Sequence, residues 1–259
     1  MINTLLIGFG YWGKIIHSKL SRFTNCYVVK SSVEDINKCF NKEYTAVFIC
    51  TPTNTHYDIV KKCINNNIKR IFCEKPFTGS INKARELLNL ASENNINIYI
   101  DNVFLYRTEI RNISRKRNMK TITFVWNKYE EKVNGKYKDN IINTLLYHDL
   151  YILIYITDTY KWYIRDINIS NDTLYLVLHN NNYIVRFKYN RQYDKKIKQI
   201  YINDELIDMS NPTNDPLLEI ISQLCSDIFI DYNNNNKITL DTILLMNNIN
   251  HYALNLHKV

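Results

Sequence analysis

Three short segments combine residue types suited to chemistry with a place at the end of an apolar run. Gly8-Phe9-Gly10-Tyr11-Trp12-Gly13 follows the run Ile2 to Ile7 and opens a stretch with helical spacing. A G-x-G-x-x-G in that strand-to-helix setting suits a dinucleotide. Gly8 permits the tight turn, Gly10 lets a pyrophosphate approach the backbone, and Gly13 lets helix and strand pack closely. The helix N-terminus adds free N–H groups and positive potential. The chain has only five glycines, and three at this spacing argue against a merely structural turn.

The second segment, Cys50-Thr51-Pro52-Thr53-Asn54-Thr55-His56, follows another apolar run. It places a polar loop at the carboxyl edge of a sheet, where ligands bind in open α/β folds. His56 serves that site or is an ordinary helix-cap or surface histidine; its type alone leaves both open. The third segment is Cys73-Glu74-Lys75-Pro76. A lysine on this edge would sit near the nicotinamide end of a dinucleotide, with its ammonium able to bond a substrate oxygen and its pKa brought nearer neutrality by partial burial. In isolation, Glu74-Lys75 reads as an exposed ion pair.

The elements that must position these groups alternate. Strands are expected at Ile2 to Ile7, Cys26 to Lys30, Ala46 to Cys50, Arg70 to Cys73 and Ile96 to Ile100. Helices are expected at Tyr11 to Ser21, Val33 to Phe40, His56 to Asn66 and Asn82 to Asn94. Such alternation predicts a parallel sheet covered on both faces. The second half changes character. Strand Lys120 to Trp126 and the long apolar helix Asn140 to Thr157 precede four strands, Tyr163 to Ser170, Thr173 to His179, Tyr183 to Tyr189 and Ile197 to Asn203. Asn180-Asn181-Asn182 is a natural turn. Two closing helices, Leu217 to Asp231 and Leu240 to Leu256, flank an asparagine-rich loop, Tyr232 to Lys237. The fold class is therefore α/β, with a Rossmann domain over residues 1–102 and a mainly antiparallel α+β domain over 103–259.

Together, GFGYWG, TPTNTHYDIV and EKPF, in this order and spacing, resemble the Gfo/Idh/MocA family of sugar-linked dehydrogenases. DNVFLYRTEI (Asp101 to Ile110) is similar to the segment leaving the Rossmann domain there, and NTLLYHDLYILIYI (Asn143 to Ile156) to the helix facing the nicotinamide. The closing helices most resemble those of members acting on nucleotide-linked sugars. The resemblance implies a pocket in which Lys75 and His148 contact the reacting carbinol, with hydride passing between the sugar and nicotinamide C4. It implies that Gly8 to Gly13, Thr51 to Asn54, His56, Glu74 and Lys75 hold the cofactor. Asn102, Tyr106, Thr144 and Asp149 would line the substrate side. Asp149 also stands out by itself, since a polar group in an apolar helix is costly unless used or paired. Relatives often form oligomers through the second domain's sheet, which implies a homo-oligomer.

Two departures matter. The family commonly has an aspartate one helical turn before the histidine, where this chain has Thr144, which cannot accept a proton. The Rossmann half is also shortened. An acidic residue would hold an NAD ribose at the end of the second strand; Lys30-Ser31-Ser32 stands there instead, a lean toward NADP over NAD. The leading expectation is an NAD(P)-dependent oxidoreductase of a sugar or nucleotide sugar. The alternatives are a degenerate relative that binds a nucleotide or partner without chemistry, and a reductase of an imine or other carbonyl compound.

Composition sets limits. Hydrophobic residues are 46% and charged residues 22%, ordinary for a packed core. The formal charge of +8 accompanies abundant lysine, asparagine, isoleucine and tyrosine, as an AT-rich genome produces. The basic stretch Arg111 to Lys120 reads as a solvated helix end, and without a zinc-finger or aromatic RNA-binding pattern no nucleic-acid partner is expected. Six cysteines without a C-x-x-C pair suit reduced thiols, and no histidine pair has metal-ligand spacing. Ile141 to Ile156 is too short for a membrane span and carries His148 and Asp149. Nothing reads as a secretory signal, so a cytoplasmic protein with no metal and no membrane partner is expected.

Overall fold

The computed structural model describes residues 2–30, 33–113, 118–132, 136–137, 140–226 and 230–256. The chain begins with β1 (Ile2–Ile7), α1 (Tyr11–Leu20), β2 (Thr24–Val29), α2 (Val33–Lys38), β3 (Ala46–Ile49), α3 (Thr53–Asn65), β4 (Arg70–Cys73), α4 (Ile81–Glu93) and β5 (Asn97–Ile100). The five strands form one parallel sheet in the order β2-β1-β3-β4-β5. All four residues of β3 are buried, as a central strand covered on both faces requires. Asparagine supplies the backbone freedom that glycine usually gives: Asn67 and Asn95, just past α3 and α4, have φ of 55° and 51°.

Next come α5 (Thr108–Ile113), β6 (Thr121–Tyr129), a π-helical turn over Ile142–Leu146, and α6 (Tyr147–Thr157). The strands β7 (Tyr163–Ile169), β8 (Thr173–His179), β9 (Ile184–Asn190), β10 (Gln192–Ile202) and β11 (Glu205–Asp208) follow. Their sheet has the order β11-β10-β6-β9-β8-β7, antiparallel except where β6 meets β9. Alternate residues Ile122, Phe124 and Trp126 of β6 are buried, as a sheet with one covered face demands. The tight turn between β10 and β11 uses Asn203 and Asp204, both at positive φ; β11 had no counterpart in the sequence reading.

The chain ends with α7 (Pro216–Cys225) and α8 (Tyr232–Leu256). Two compact units result: Met1–Tyr106 with Pro216–Ile243, and Arg107–Asp215 with Leu244–Val259. The expected single cut, with 103–259 as one domain, is thus corrected. The reason lies in the first sheet. One face packs Val47, Ile49, Ile71 and Ile98 with Ile59, Val60, Leu87 and Ile243. On the other, Leu6, Phe48, Phe72 and Tyr99 meet Ile16 and Leu20 of α1, and the apolar stripe Leu217, Ile220, Ile221 and Leu224 of α7 completes the cover.

The asparagine run is a second correction. It is the first turns of α8, not a loop. The Asp231 carboxylate accepts the Asn234 N–H at 3.0 Å, an N-cap bond. The buried Asn235 amide then pairs with β5, accepting from Ile100 N at 2.9 Å and donating to Ile100 O at 3.0 Å. This satisfies an edge strand that would otherwise bury unpaired groups.

Candidate functional site

Because the first sheet is parallel, the segments that follow β1, β3, β4 and β5 leave it at one edge. Gly8 has φ +95°, its N–H donates to Val29 O at 2.8 Å, and a Cβ on it would lie 2.7 Å from the Cys50 carbonyl carbon. A Cβ on Gly13 would collide with the Gly8 carbonyl oxygen. Packing therefore demands glycine at both positions. Gly10 differs: nothing lies within 4 Å of where its Cβ would be. Glycine is a favoured N-cap residue, and the open space beside it also leaves room for a ligand lying against the backbone. At the start of α1, Gly10 makes no side-chain cap bond and the first turn has no acidic residue. Uncapped N–H groups beside an open glycine fit the pyrophosphate of a dinucleotide. Phe9 is half-buried, and Tyr11 and Trp12 are exposed beside this opening.

In the loop after β3, Thr51 is buried and Thr53 half-buried, whereas Pro52 and Asn54 are exposed. His56 proves to be a brace. It is buried, with Nε2 2.8 Å from Thr51 O and Nδ1 3.0 Å from Pro76 O. Burial lowers its pKa, against three backbone carbonyls that favour the cation. The ring thus ties the Thr51 loop to the segment after β4, and its expected cofactor contact is replaced by these bonds. Lys30 is exposed just past β2, and Ser31 lies outside the described residues.

After β4, Lys75 is half-buried and Glu74 is buried, with Glu74 Oε2 accepting the Lys75 N–H at 3.2 Å. Asp101, one strand over, is also buried, and Asp101 N donates to Cys73 O at 2.9 Å. Sequence reasoning passed over Asp101, since only the pairing of β4 with β5 brings it to Glu74. Burial pushes the pKa of both carboxyls up, Asp101 well above the ordinary range, while the Lys75 charge pulls both down. A raised folded pKa means stability that is complete below the unfolded carboxylate range and lost as pH rises through the folded values. The double variant E74Q/D101N should therefore gain on wild type in urea unfolding as pH rises from about 4 to 8, by on the order of 2 kcal/mol. Asn102 is buried with its amide on Thr239 at 2.9 Å, and the Tyr106 hydroxyl donates to Gln223 at 3.0 Å.

In the second unit the expected continuous helix is interrupted. The π-helical turn over Ile142–Leu146 precedes α6, so Thr144 and His148 do not keep the α-helical register assumed from their spacing. His148 is half-buried, with Nδ1 3.1 Å from the Tyr151 hydroxyl and its ring 5.5 Å from that of Trp126. Thr144 donates to Asn140 O at 3.0 Å and accepts from the Arg191 guanidinium, which also pairs with Glu130 at 3.0 Å. Sequence reasoning missed Arg191, which lies 47 positions away and shows its partner only in the fold.

Asp149 is corrected most plainly. It is buried, and Lys198 Nζ at 2.6 Å and the Tyr189 hydroxyl at 2.8 Å take its two oxygens. The cost of a carboxylate in an apolar helix is met by a buried ion pair, not by substrate. Burial raises the Asp149 pKa and brings that of Lys198 down to about 8, with the pairing opposing both shifts. Lys198 also sits 3.4 Å above the Trp126 ring. Asp149→Ala should cost about 3–5 kcal/mol in urea unfolding by stranding the lysine, and D149A/K198M should recover much of it.

Residues 12–101 match the model of an oxidoreductase family with an NAD-binding Rossmann fold, GFO_IDH_MocA. That match runs from α1 through the end of β5, so this stretch is similar to the family's NAD-binding domain. An uncharacterized oxidoreductase of Schizosaccharomyces pombe is 42% identical over 50 residues, a match covering 19% of this chain and 13% of that relative. Two solved structures share the fold of the whole chain. One is the WlbA (WbpB) dehydrogenase from Thermus thermophilus in complex with NAD and UDP-GlcNAcA, at TM-score 0.77, 11% identity and 95% coverage of each chain. The other is the UDP-N-acetylglucosamine 3-dehydrogenase GnnA from Acidithiobacillus ferrooxidans, at TM-score 0.73 and 17% identity, covering 95% of this chain and 96% of that one. The Gfo/Idh/MocA match begins at Trp12, after Gly8 and Gly10, so the geometry of those glycines supports a dinucleotide site independently of it. Among the described residues no helix is long and apolar enough to cross a membrane, and no cluster of side chains could hold a metal ion.

Proposed function

We propose that this chain is an NAD(P)-dependent oxidoreductase interconverting a hydroxyl and a carbonyl on a sugar or nucleotide sugar. The observation that carries the reading is the open Gly10 at the uncapped start of α1, on the same sheet edge as Lys75. The ligands and substrate named for the Thermus and Acidithiobacillus proteins support the substrate class. When bound, a nicotinamide supplies the acceptor or donor of a hydride.

In this reading Lys75 bonds the substrate oxygen and handles the hydroxyl proton together with His148. His148, with Nδ1 3.1 Å from the Tyr151 hydroxyl, exchanges the proton through its imidazole. Tyr106 and Thr144 line the substrate side and Thr51 to Asn54 the cofactor side, while Asn102 and Glu74, both buried, support this sheet edge from beneath. Lys30-Ser31 after β2, where NAD would call for an acidic residue, supports NADP. A cytoplasmic homo-oligomer joined through the second unit's sheet completes the reading, with sedimentation equilibrium as its check.

The test is turnover. Purified protein with NAD(P) should change nicotinamide absorbance when given UDP-linked N-acetylhexosamines or their uronic acids. A second reading, dinucleotide binding without chemistry, is favoured by Thr144, whose hydroxyl is occupied by Arg191 and Asn140 and offers His148 no carboxylate. Tight dinucleotide binding with no turnover on nucleotide sugars, free sugars or imines would select it.

A further inference from the structure

Glu74 and Asp101 stand at the ends of neighbouring parallel strands, with Cys73 paired to Ile100 in the rung before them. Both side chains are buried, and Glu74 Oε1 and Asp101 Oδ1 have no hydrogen-bonding partner of their own. The register puts the two residues side by side on neighbouring strands, and each buried carboxyl acts on the other. Two carboxylates this close and this dry cannot both ionise, so one retains a proton and donates it to the other. The remaining ionisable groups facing the pair are Lys75 and the thiols of Cys50 and Cys73. Burial holds both thiols neutral. From α8, the neutral Asn235 and Thr239 bond Ile100 and Asn102 at this end of β5. Lys75 is the cation whose charge acts on both carboxyls.

We propose that Glu74 and Asp101 act as a single proton-sharing carboxyl pair that presents one negative charge to Lys75, making Asp101 a positioning residue for the chemistry of that lysine. One charge keeps the ammonium oriented at the sheet edge. Two would hold its proton too firmly for exchange with a substrate hydroxyl, and none would leave the amine without an anchor. The functional part of this inference rests on the reading of Lys75 as the group that handles the hydroxyl proton.

The test needs no substrate. Infrared absorption of a buried protonated carboxyl, followed with pH, should be present in wild type at neutral pH and titrate at lower pH in D101N and in E74Q. In parallel, acetylation of Lys75 by acetic anhydride is read by peptide mass spectrometry at about pH 8. Each single variant keeps one charge, so its rate should stay within about twofold of wild type, whereas E74Q/D101N should react about 3- to 10-fold faster. Carboxyl-to-amide changes keep side-chain shape, and thermal melts confirm the fold. Absence of the protonated band in wild type, or acceleration by either single variant as large as by the double, overturns the proposal. If the pair behaves as described but K75A retains turnover, the pair stands and the role given to Lys75 in catalysis falls.

Discussion

Lys75→Ala is expected to lower turnover about 100- to 10,000-fold, with dinucleotide affinity changed far less. The lysine sits half-buried after β4, next to the buried Glu74, and its charge acts on the carboxyls of both Glu74 and Asp101. Losing it removes an interaction that strengthens as charge develops on the substrate oxygen, so the loss should fall on kcat and little on KM. Arginine should not rescue: its planar guanidinium does not give up a proton near neutral pH. Steady-state kinetics of K75A and K75R, with calorimetry of the cofactor, reads both. Full turnover in K75A would remove the lysine from the mechanism.

Alanine at the three glycines of the first loop should separate folding from binding. Gly10→Ala should still fold, since its Cβ meets nothing and its φ of −76° suits alanine, with a loss of no more than about 1 kcal/mol from the poorer N-cap. Its dinucleotide affinity should nevertheless fall at least about tenfold, or ~1.4 kcal/mol, because the new methyl occupies the space for the pyrophosphate. Gly13→Ala should fail in the opposite way. Its Cβ runs into the Gly8 carbonyl, a backbone atom that cannot step aside, at a cost of about 3 kcal/mol or more. Melting curves and calorimetry of the two variants give four numbers, and only this pattern fits a ligand at Gly10. Unchanged affinity in folded G10A would leave that glycine an N-cap alone and weaken the site.

What was readable in the sequence was local. The glycine spacing, the buried run Ala46 to Ile49 and the asparagine turn at 180 to 182 each carry their signal within a few residues. What escaped depends on distant partners. The apolar stripe of α7 announces a buried helix face, but not that the face closes the first sheet more than a hundred residues back in the chain. Asn233 to Asn236 read as a loop because asparagine is a poor helix former; Asp231 and the Asn235 bonds to β5 override that preference. Asp149 was flagged for its burial cost, yet its partner Lys198 lies 49 positions away. The Glu74–Asp101 pair was invisible for the same reason, although β4 and β5 were both expected as strands.

The most direct measurement is calorimetric titration of the purified protein with NAD(H) and NADP(H) in separate runs. Saturable binding of one dinucleotide at micromolar concentration, lost in G10A, is the predicted result, with NADP(H) favoured by Lys30. No heat with any of the four would contradict the account: the first unit would then keep the Rossmann fold without the site it was built to form.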